Sequence, residues 1–240
     1  MLWTLARLLP SADHAFLQGL PRSEGPIGPD FPARWSAARQ LTATDAEGLL
    51  AHPERLPATS SQIRDFYTTT HRYALRGQAR FAWWARLGLR LSRRWLLDGW
   101  RQLQLPLDGD LDLPDRFVAV GDERWWVRSS DTTTMYCARF DVVDLPSGPH
   151  LRVAFPLPGA TLVGLLRGEG GDGPLVWSQT EGDTGLYVLP PTGPARRVPL
   201  IRETITVAAV RGGVAARHTF HLLGWEMLRF LYLCEPRRGP

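Results

Sequence analysis

The stretch that decides the fold is Ile201-Arg-Glu-Thr-Ile-Thr-Val-Ala-Ala-Val210, followed by Arg211-Gly-Gly213 and then by Val214-Ala-Ala-Arg-His-Thr-Phe-His-Leu222. Apolar side chains recur at every second position of the later run, which is the period of a β-strand with one covered face. The paired glycines between the runs are typical of a tight turn. These residues predict a hairpin of two antiparallel strands. One face of its second strand carries Val214, Ala216, His218, Phe220 and Leu222.

The same two-residue period continues outward over the C-terminal half of the chain. Short segments rich in Gly, Pro and Asp separate the candidate strands, which are 116–121, 123–130, 132–143, 150–156, 160–168, 174–180, 185–189, 201–210, 214–222 and 225–234. Short connections between successive strands favour an antiparallel meander. We therefore predict an α+β fold in which N-terminal helices pack on a large, strongly curved antiparallel β-meander or β-barrel of about 8–10 strands, since so many strands rarely form one flat sheet.

Helical signals lie in the N-terminal half. A connector rich in Pro and Gly over residues 20–35 precedes a predicted short helix over 36–56. Thr59-Ser60-Ser61 are good N-cap residues for a second helix that ends near Thr68-Thr69-Thr70, and an extended segment over 71–78 follows. The strongest helical pattern covers residues 79–105, where bulky apolar side chains fall on one half of a helical wheel and Arg side chains on the other.

These elements predict three regions. Residues 1–58 form an N-terminal helical and connector region that begins with a short docking helix, not a secretion signal. Residues 59–106 form an amphipathic Trp/Arg-rich helical segment, and residues 107–240 form the antiparallel sheet or barrel on which it packs. The helical segment alone cannot bury its apolar half, so 59–240 is expected to fold as one unit with Trp95 and Trp100 against the sheet.

Composition excludes several function classes. All 28 basic residues are Arg, so the chain has no lysine Schiff base and no Walker A phosphate loop. Gly168-Glu-Gly-Gly-Asp-Gly173 matches a dinucleotide fingerprint by letter, but Pro174 and a strand follow it where a helix is needed. The familiar hydrolase, zinc and redox motifs are missing from the sequence, and no cofactor or metal is predicted. Cys137 and Cys234 are interpreted as two free buried thiols of a cytoplasmic protein, with a single disulfide between them as the alternative.

The leading functional hypothesis is a non-enzymatic binding protein that holds one apolar or amphipathic, lipid-like molecule in a cavity of the sheet. Curled antiparallel sheets often enclose such ligands, and the chain has ten Trp and nine Phe. Arg139 or Arg229 would pair with an acidic head group if either points inward. The candidate ligand-binding residues are Tyr136, Phe140, Arg139, His218, Phe220, Arg229, Phe230 and Tyr232.

Two alternatives stay open. The first is a hydrolase, isomerase or cyclase in which His218 is the general acid/base and Glu226 or Tyr232 orients it, which requires His218 to open onto a pocket. The second is an interaction protein that contacts a partner or a membrane surface peripherally through residues 79–105. That reading predicts an exposed apolar patch containing Trp83, Trp84, Trp95 or Trp100. A nucleic-acid partner is not expected, because the replacement of Lys by Arg throughout inflates the apparent basic face.

Two stretches of the sequence look familiar as a pair. The first contains Phe66-Tyr67, Ser92-Arg-Arg94 and Gln102-Leu-Gln-Leu-Pro106, and the second contains Val153-Ala-Phe-Pro-Leu-Pro158 and Gly224-Trp225. Over residues 60–235 the chain resembles an uncharacterised family of bacterial proteins from GC-rich genomes. The resemblance implies a single helical-plus-β unit and brings no activity, cofactor or site residue with it.

Overall fold

A computed structural model describes residues 9–23, 27–28, 30–88, 108–111, 114–129, 134–179 and 182–237. These residues contain three short helices, α1 (Phe31–Ala38), α2 (Ser61–Thr68) and α3 (residues 83–88). They also contain the strands β1 (Ser11–Ala12), β2 (Ala43–Asp45), β3 (Tyr73–Phe81), β4 (Asp108–Asp110), β5 (Asp115–Val120), β6 (Glu123–Ser129), β7 (Thr134–Leu145), β8 (Gly148–Leu157), β9 (Ala160–Glu169), β10 (Leu175–Ser178), β11 (Gly185–Leu189), β12 (Ala195–Val198), β13 (Ile201–Val210), β14 (Gly213–Leu222) and β15 (Trp225–Pro236). Single 3₁₀ turns lie at Ala15–Leu17, Pro53–Arg55 and Thr70–Arg72.

The strands form one sheet in the order β2-β5-β6-β7-β8-β9-β10-β13-β14-β15-β3-β4, with β11, β12 and β1 branching from β9. Neighbours run antiparallel at each pairing that the described residues make. The prediction of a mostly antiparallel sheet with a few helices is thus confirmed. The alternative of a closed barrel is not confirmed, because within the described residues the end strands β2 and β4 do not pair and the sheet is open.

Ring contacts across the sheet show that it is strongly curved. Trp126 on β6 and Tyr232 on β15 are seven strands apart in the pairing order, yet their ring centroids lie 6.0 Å apart. In a flat sheet, seven steps of about 4.8 Å would separate them by roughly 34 Å. The inner face of the sheet therefore wraps around an interior.

The hairpin predicted over residues 201–222 is present. β13 and β14 pair from Ile201↔Leu222 to Val210↔Gly213, and Gly212 has a φ of 83°, which suits the tight turn. Inward side chains alternate along both strands, so that Ile205 lies opposite His218 and Val207 opposite Ala216. The two-residue period of the sequence thus has its physical cause in the covered inner face.

The inner face and part of the outer face of the sheet are covered. On the inner face, α2 contributes Ile63, Phe66 and Tyr67 to the main core, which also contains Trp177. Ser60, one of the three predicted N-cap residues, caps this helix by accepting a hydrogen bond from the backbone N–H of Ile63 at 3.3 Å. Part of the outer face is covered by residues that precede β2: Phe16, Leu17 and Leu20 pack on β9, β11 and β12, and Ile27 and Phe31 pack on β5 and β6.

Two helix predictions need correction. Residues 36–56 do not form one helix: α1 ends at Ala38, and β2 adds to the edge of the sheet beside β5. The predicted helix over 79–105 is wrong at its start, because β3 continues to Phe81 along β15 and α3 begins only at residue 83. Pairing with a neighbouring strand outweighs local helix propensity here. The rest of the predicted helix, with Trp95 and Trp100, lies outside the described residues.

Because β1, β2 and β3 belong to the sheet, strands come from all three regions that the sequence suggested, not only from 107–240. In the described residues no helix has both the length and the apolar character needed to cross a bilayer.

Candidate ligand-binding cavity

The curved sheet and α3 enclose a cavity of about 440 Å³. Its wall is mainly apolar and draws on β3, β6 to β9, β11 and β13 to β15, while Trp84, Ala85 and Gly88 come from α3. The aromatic side chains of Phe66, Phe81, Phe140, Phe155, Phe220 and Phe230 are prominent in it. Three charged or titratable side chains that also line the cavity are Arg128, Glu203 and His218. Burial of such groups is costly unless they have partners.

His218 projects from β14 into this wall among aromatic rings. Its ring centroid lies 4.5 Å from that of Phe220 and 5.7 Å from that of Phe230. Its Nε2 lies 2.6 Å from Oε1 of Glu203, an inward side chain of the neighbouring strand β13. Since Ile205 is directly opposite His218, Glu203 is the diagonal neighbour on the same face, a position from which side chains commonly interact.

Glu203 is held firmly by its surroundings. Gln179 makes two hydrogen bonds with the backbone of Glu203. The Gln179 Oε1 accepts from the Glu203 N–H at 3.0 Å, and the Gln179 backbone N–H donates to the Glu203 carbonyl at 3.3 Å. On β9 a Cβ added to Gly164 would lie 2.5 Å from the Glu203 Oε2, so a glycine leaves the room that the carboxylate fills. Oε2 is buried and has no hydrogen-bond partner among the described residues.

A second buried ion pair lies at the cavity wall. The Arg128 Nε donates to Oδ1 of Asp115 at 2.8 Å, and both side chains are only 4% exposed. The same oxygen accepts a hydrogen bond from the Trp126 indole at 2.6 Å. The Arg128 guanidinium also lies over the rings of Trp126 and Tyr232, at 5.0 and 5.6 Å from their centroids.

Several candidate residues from the sequence meet at this cavity, namely Phe140, His218, Phe220, Phe230 and Tyr232. Burial raises the pKa of Tyr232 to about 12, more than the nearby Arg128 lowers it, so its hydroxyl is protonated at neutral pH. The side chain of Tyr136 lies outside the described residues.

Arg139 and Arg229 do not line the cavity, so the condition under which either would pair with an acidic head group is not met. Arg139 lies on the outer face, where it pairs with Glu123 at 2.8 Å and with Asp141 at 2.9 Å. Arg229 pairs with Glu226 at 2.6 Å, also away from the cavity wall. Each arginine is one residue from an inward aromatic, Phe140 or Phe230, and odd spacing along a strand sends a side chain to the opposite face.

Glu226 is not the partner of His218, although it is the nearest acid in sequence. Its carboxylate pairs with Arg229 and with Arg217, at 3.3 Å for the latter. Burial opposes ionisation, but the hydrogen bonds and charges of the two arginines hold the pKa of Glu226 below its usual value. The sequence analysis did not identify Glu203 of β13 or Arg128 of β6 as inward-facing residues. Each lies two positions from an inward apolar residue, Ile205 or Trp126, and this even spacing could have identified it.

Other features of the structure are weaker candidates for a functional site. A groove of about 560 Å³ on the outer side of β3, β14 and β15 is larger, but Arg76, Asp110 and Arg217 rim it and it lacks the aromatic wall. Of the proposed apolar surface, Trp83 is exposed while Trp84 turns into the cavity. Both cysteines are free and buried, and burial raises the pKa of Cys234 to about 12. The described residues hold no cluster of three metal-ligating side chains.

Comparisons with known proteins give no relative of this chain. Neither a protein-family model, nor a curated protein, nor a solved structure matches this chain. The cavity, the His218–Glu203 pair and the Arg128–Asp115 pair are therefore the features from which a function has to be argued.

Proposed function

We propose that this protein binds one small apolar or amphipathic molecule in the cavity between the curved sheet and α3. The observation that carries the proposal is the cavity itself: about 440 Å³ with a mainly aromatic and aliphatic wall. Small-molecule sites typically have volumes of about 300–1,000 Å³, apolar walls and a few well-placed polar groups. The cavity has all three properties, with His218, Glu203 and Arg128 as the polar groups.

Packing energetics favour the binding of an apolar ligand. Such a ligand would make dispersion contacts with the side chains of the cavity wall. Because it would bind the folded chain and not the unfolded one, binding is expected to raise the free energy of unfolding as well.

The binding prediction uses N-phenyl-1-naphthylamine, an uncharged apolar dye whose fluorescence rises out of water. We expect saturable binding of one dye per chain. Ala216, whose side chain lines the cavity, provides the test, because Ala216→Phe would occupy part of the volume. We expect this variant to bind the dye at least about tenfold more weakly, which corresponds to about 1.4 kcal/mol.

Ala215→Phe is the matched control, since Ala215 is the adjacent residue of β14 and lies on the outer groove. It should bind the dye as the wild-type chain does. Binding that does not saturate, or that falls equally in both variants, would contradict the proposal. Circular dichroism spectra of all three chains establish that they are folded.

A second candidate function is acid–base catalysis on the bound molecule. The hydrogen bond between His218 and Glu203 favours it, because an imidazole oriented by a carboxylate and facing a pocket is a common arrangement for proton transfer. Relative to the sequence hypothesis, Glu203 takes the orienting role that had been given to Glu226 or Tyr232.

Deuterium exchange tests this second candidate. In D₂O, a hydrogen on the carbon next to a ketone carbonyl leaves as a proton and is replaced by a deuteron when an acid and a base assist. If the pair is catalytic, the acetyl group of 2-acetylnaphthalene should exchange faster with the protein than without it, and Glu203→Gln should remove the excess. The control Glu226→Gln changes a carboxylate on the outer face. Equal exchange with and without the wild-type protein excludes the candidate.

A further inference from the structure

We infer that the ligand of this cavity is uncharged and carries a hydrogen-bond-accepting oxygen, such as the carbonyl of a ketone or ester, which accepts from Nδ1 of His218. The inference rests on the proposed binding function and deepens it by naming the class of ligand. It differs from the sequence hypothesis, in which an arginine would pair with an acidic head group.

The imidazole is the part of the pair that a ligand can reach. The His218 side chain is 15% exposed, whereas that of Glu203 is 1% exposed. Nε2 of the ring is occupied by Oε1 of Glu203 at 2.6 Å. The part of the chain that the structure describes offers no hydrogen-bond partner to the other ring nitrogen, Nδ1. Nδ1 is thus the atom of the pair that is left to meet a ligand.

The net charge of the His218–Glu203 pair decides whether Nδ1 donates or accepts a hydrogen bond. The pair has no net charge in two forms: an imidazolium beside a carboxylate, or a neutral imidazole that accepts at Nε2 from a protonated carboxyl. In both forms Nδ1 carries a hydrogen. Only the form with net charge −1 leaves Nδ1 bare, and an uncompensated charge among apolar side chains is strongly disfavoured. In a pair without net charge, Nδ1 donates a hydrogen bond and its ligand partner is an acceptor.

The other charges at the wall decide against an ionised ligand. Asp115 already balances Arg128, with hydrogen bonds from the guanidinium to both carboxylate oxygens at 2.8 and 3.4 Å. Arg139 and Arg229 are engaged on the outer face. A ligand carboxylate or ammonium would consequently bring a net charge into an apolar cavity where the charged groups of the described residues are balanced.

Three naphthalenes of similar size test the inference: 2-acetylnaphthalene, 2-ethylnaphthalene and 2-naphthoate. The ethyl compound has the shape of the ketone without its oxygen, and the naphthoate carries a charge at the same place. With the wild-type chain, we expect the ketone to bind about tenfold more tightly than the ethyl compound, because one buried hydrogen bond is gained. We expect the naphthoate to bind more weakly than the ketone.

The matched variants separate hydrogen bonding from shape. Removing His218 alone would leave the Glu203 carboxylate buried and unpaired, so the test uses the double variant Glu203→Gln/His218→Phe. The control is His221→Phe, a change on β14 at a residue that does not line the cavity. The double variant should bind the ketone and the ethyl compound equally, while the control should keep the preference for the ketone.

A measurement on the wild-type chain stands independently of any variant. The carbonyl stretching band of bound 2-acetylnaphthalene, read by infrared difference spectroscopy, should lie at lower frequency than in hexane if the oxygen accepts a hydrogen bond. An unshifted band, equal binding of the ketone and the ethyl compound, or tightest binding of the naphthoate would each overturn the inference and leave the binding function standing. If no naphthalene and no apolar dye binds, the proposed function fails, and the inference fails with it.

Discussion

Replacing Arg128 by Met is expected to lower the free energy of unfolding by about 3–5 kcal/mol, because it leaves a buried charge without its partner. Among the described residues, the Asp115 carboxylate would keep one hydrogen bond, from the Trp126 indole. With a side chain that is 4% exposed, it has almost no access to water as a substitute partner. Urea denaturation followed by circular dichroism measures the change.

Two companion variants make the Arg128→Met result interpretable. The double variant Asp115→Leu/Arg128→Met removes both charges and should recover most of the loss, since no ion is left unpaired. Arg116→Met breaks an exposed pair with Asp45, whose side chains are 69% and 80% exposed, and should change the free energy of unfolding by less than about 1 kcal/mol. Equal losses in Arg128→Met and Arg116→Met would show that burial of the inner pair has no energetic consequence.

Trp177→Ala is expected to lower the free energy of unfolding by about 3–5 kcal/mol, the cost typical of removing a fully buried large aromatic. Trp177 has no exposed surface and lies in the main core on the inner face. Its indole donates a hydrogen bond to the Tyr67 hydroxyl at 3.1 Å, which links β10 to α2. The substitution thus creates a cavity and also leaves a buried hydroxyl with one partner fewer.

Trp225→Ala is the matched control, since the Trp225 side chain, on β15, is 73% exposed. We expect its urea midpoint to stay within experimental error of the wild-type value. Trp177→Phe, which keeps most of the volume but not the N–H group, should fall between Trp177→Ala and the wild-type chain. If Trp177→Ala unfolds at the wild-type urea concentration, α2 does not depend on the sheet for its packing.

The cavity and the two ion pairs have a common structural origin. Each pair joins inward side chains of adjacent strands, β5 with β6 and β13 with β14, so the sheet itself supplies the partner for each buried charge. Arg128 pairs with Asp115, whereas one nitrogen and one oxygen of the His218–Glu203 pair have no partner among the residues that the structure describes. This asymmetry is the reason that ligand recognition is assigned to His218 and not to the arginine.

Much of the sheet could be predicted from the sequence because strand periodicity is a local property. The predicted strand over 201–210 coincides with β13, and that over 214–222 agrees with β14 to one residue. The inward position of His218 followed from the same alternation. β3 was missed in part because Phe81 and Trp84 fit an apolar helical stripe, and only pairing with β15 shows that the chain is extended up to Phe81.

The amino-acid sequence by itself determined the two-residue period of the C-terminal strands, that a helix begins near Thr59-Ser60-Ser61, and that His218 shares a face with Phe220. The tertiary structure alone decided that His218 meets Glu203 and not Glu226, and that Arg128 rather than Arg139 or Arg229 reaches the cavity. The physical reason is that alternation fixes a side chain's face locally, while its partner depends on strand register and on how the curved sheet brings distant strands together.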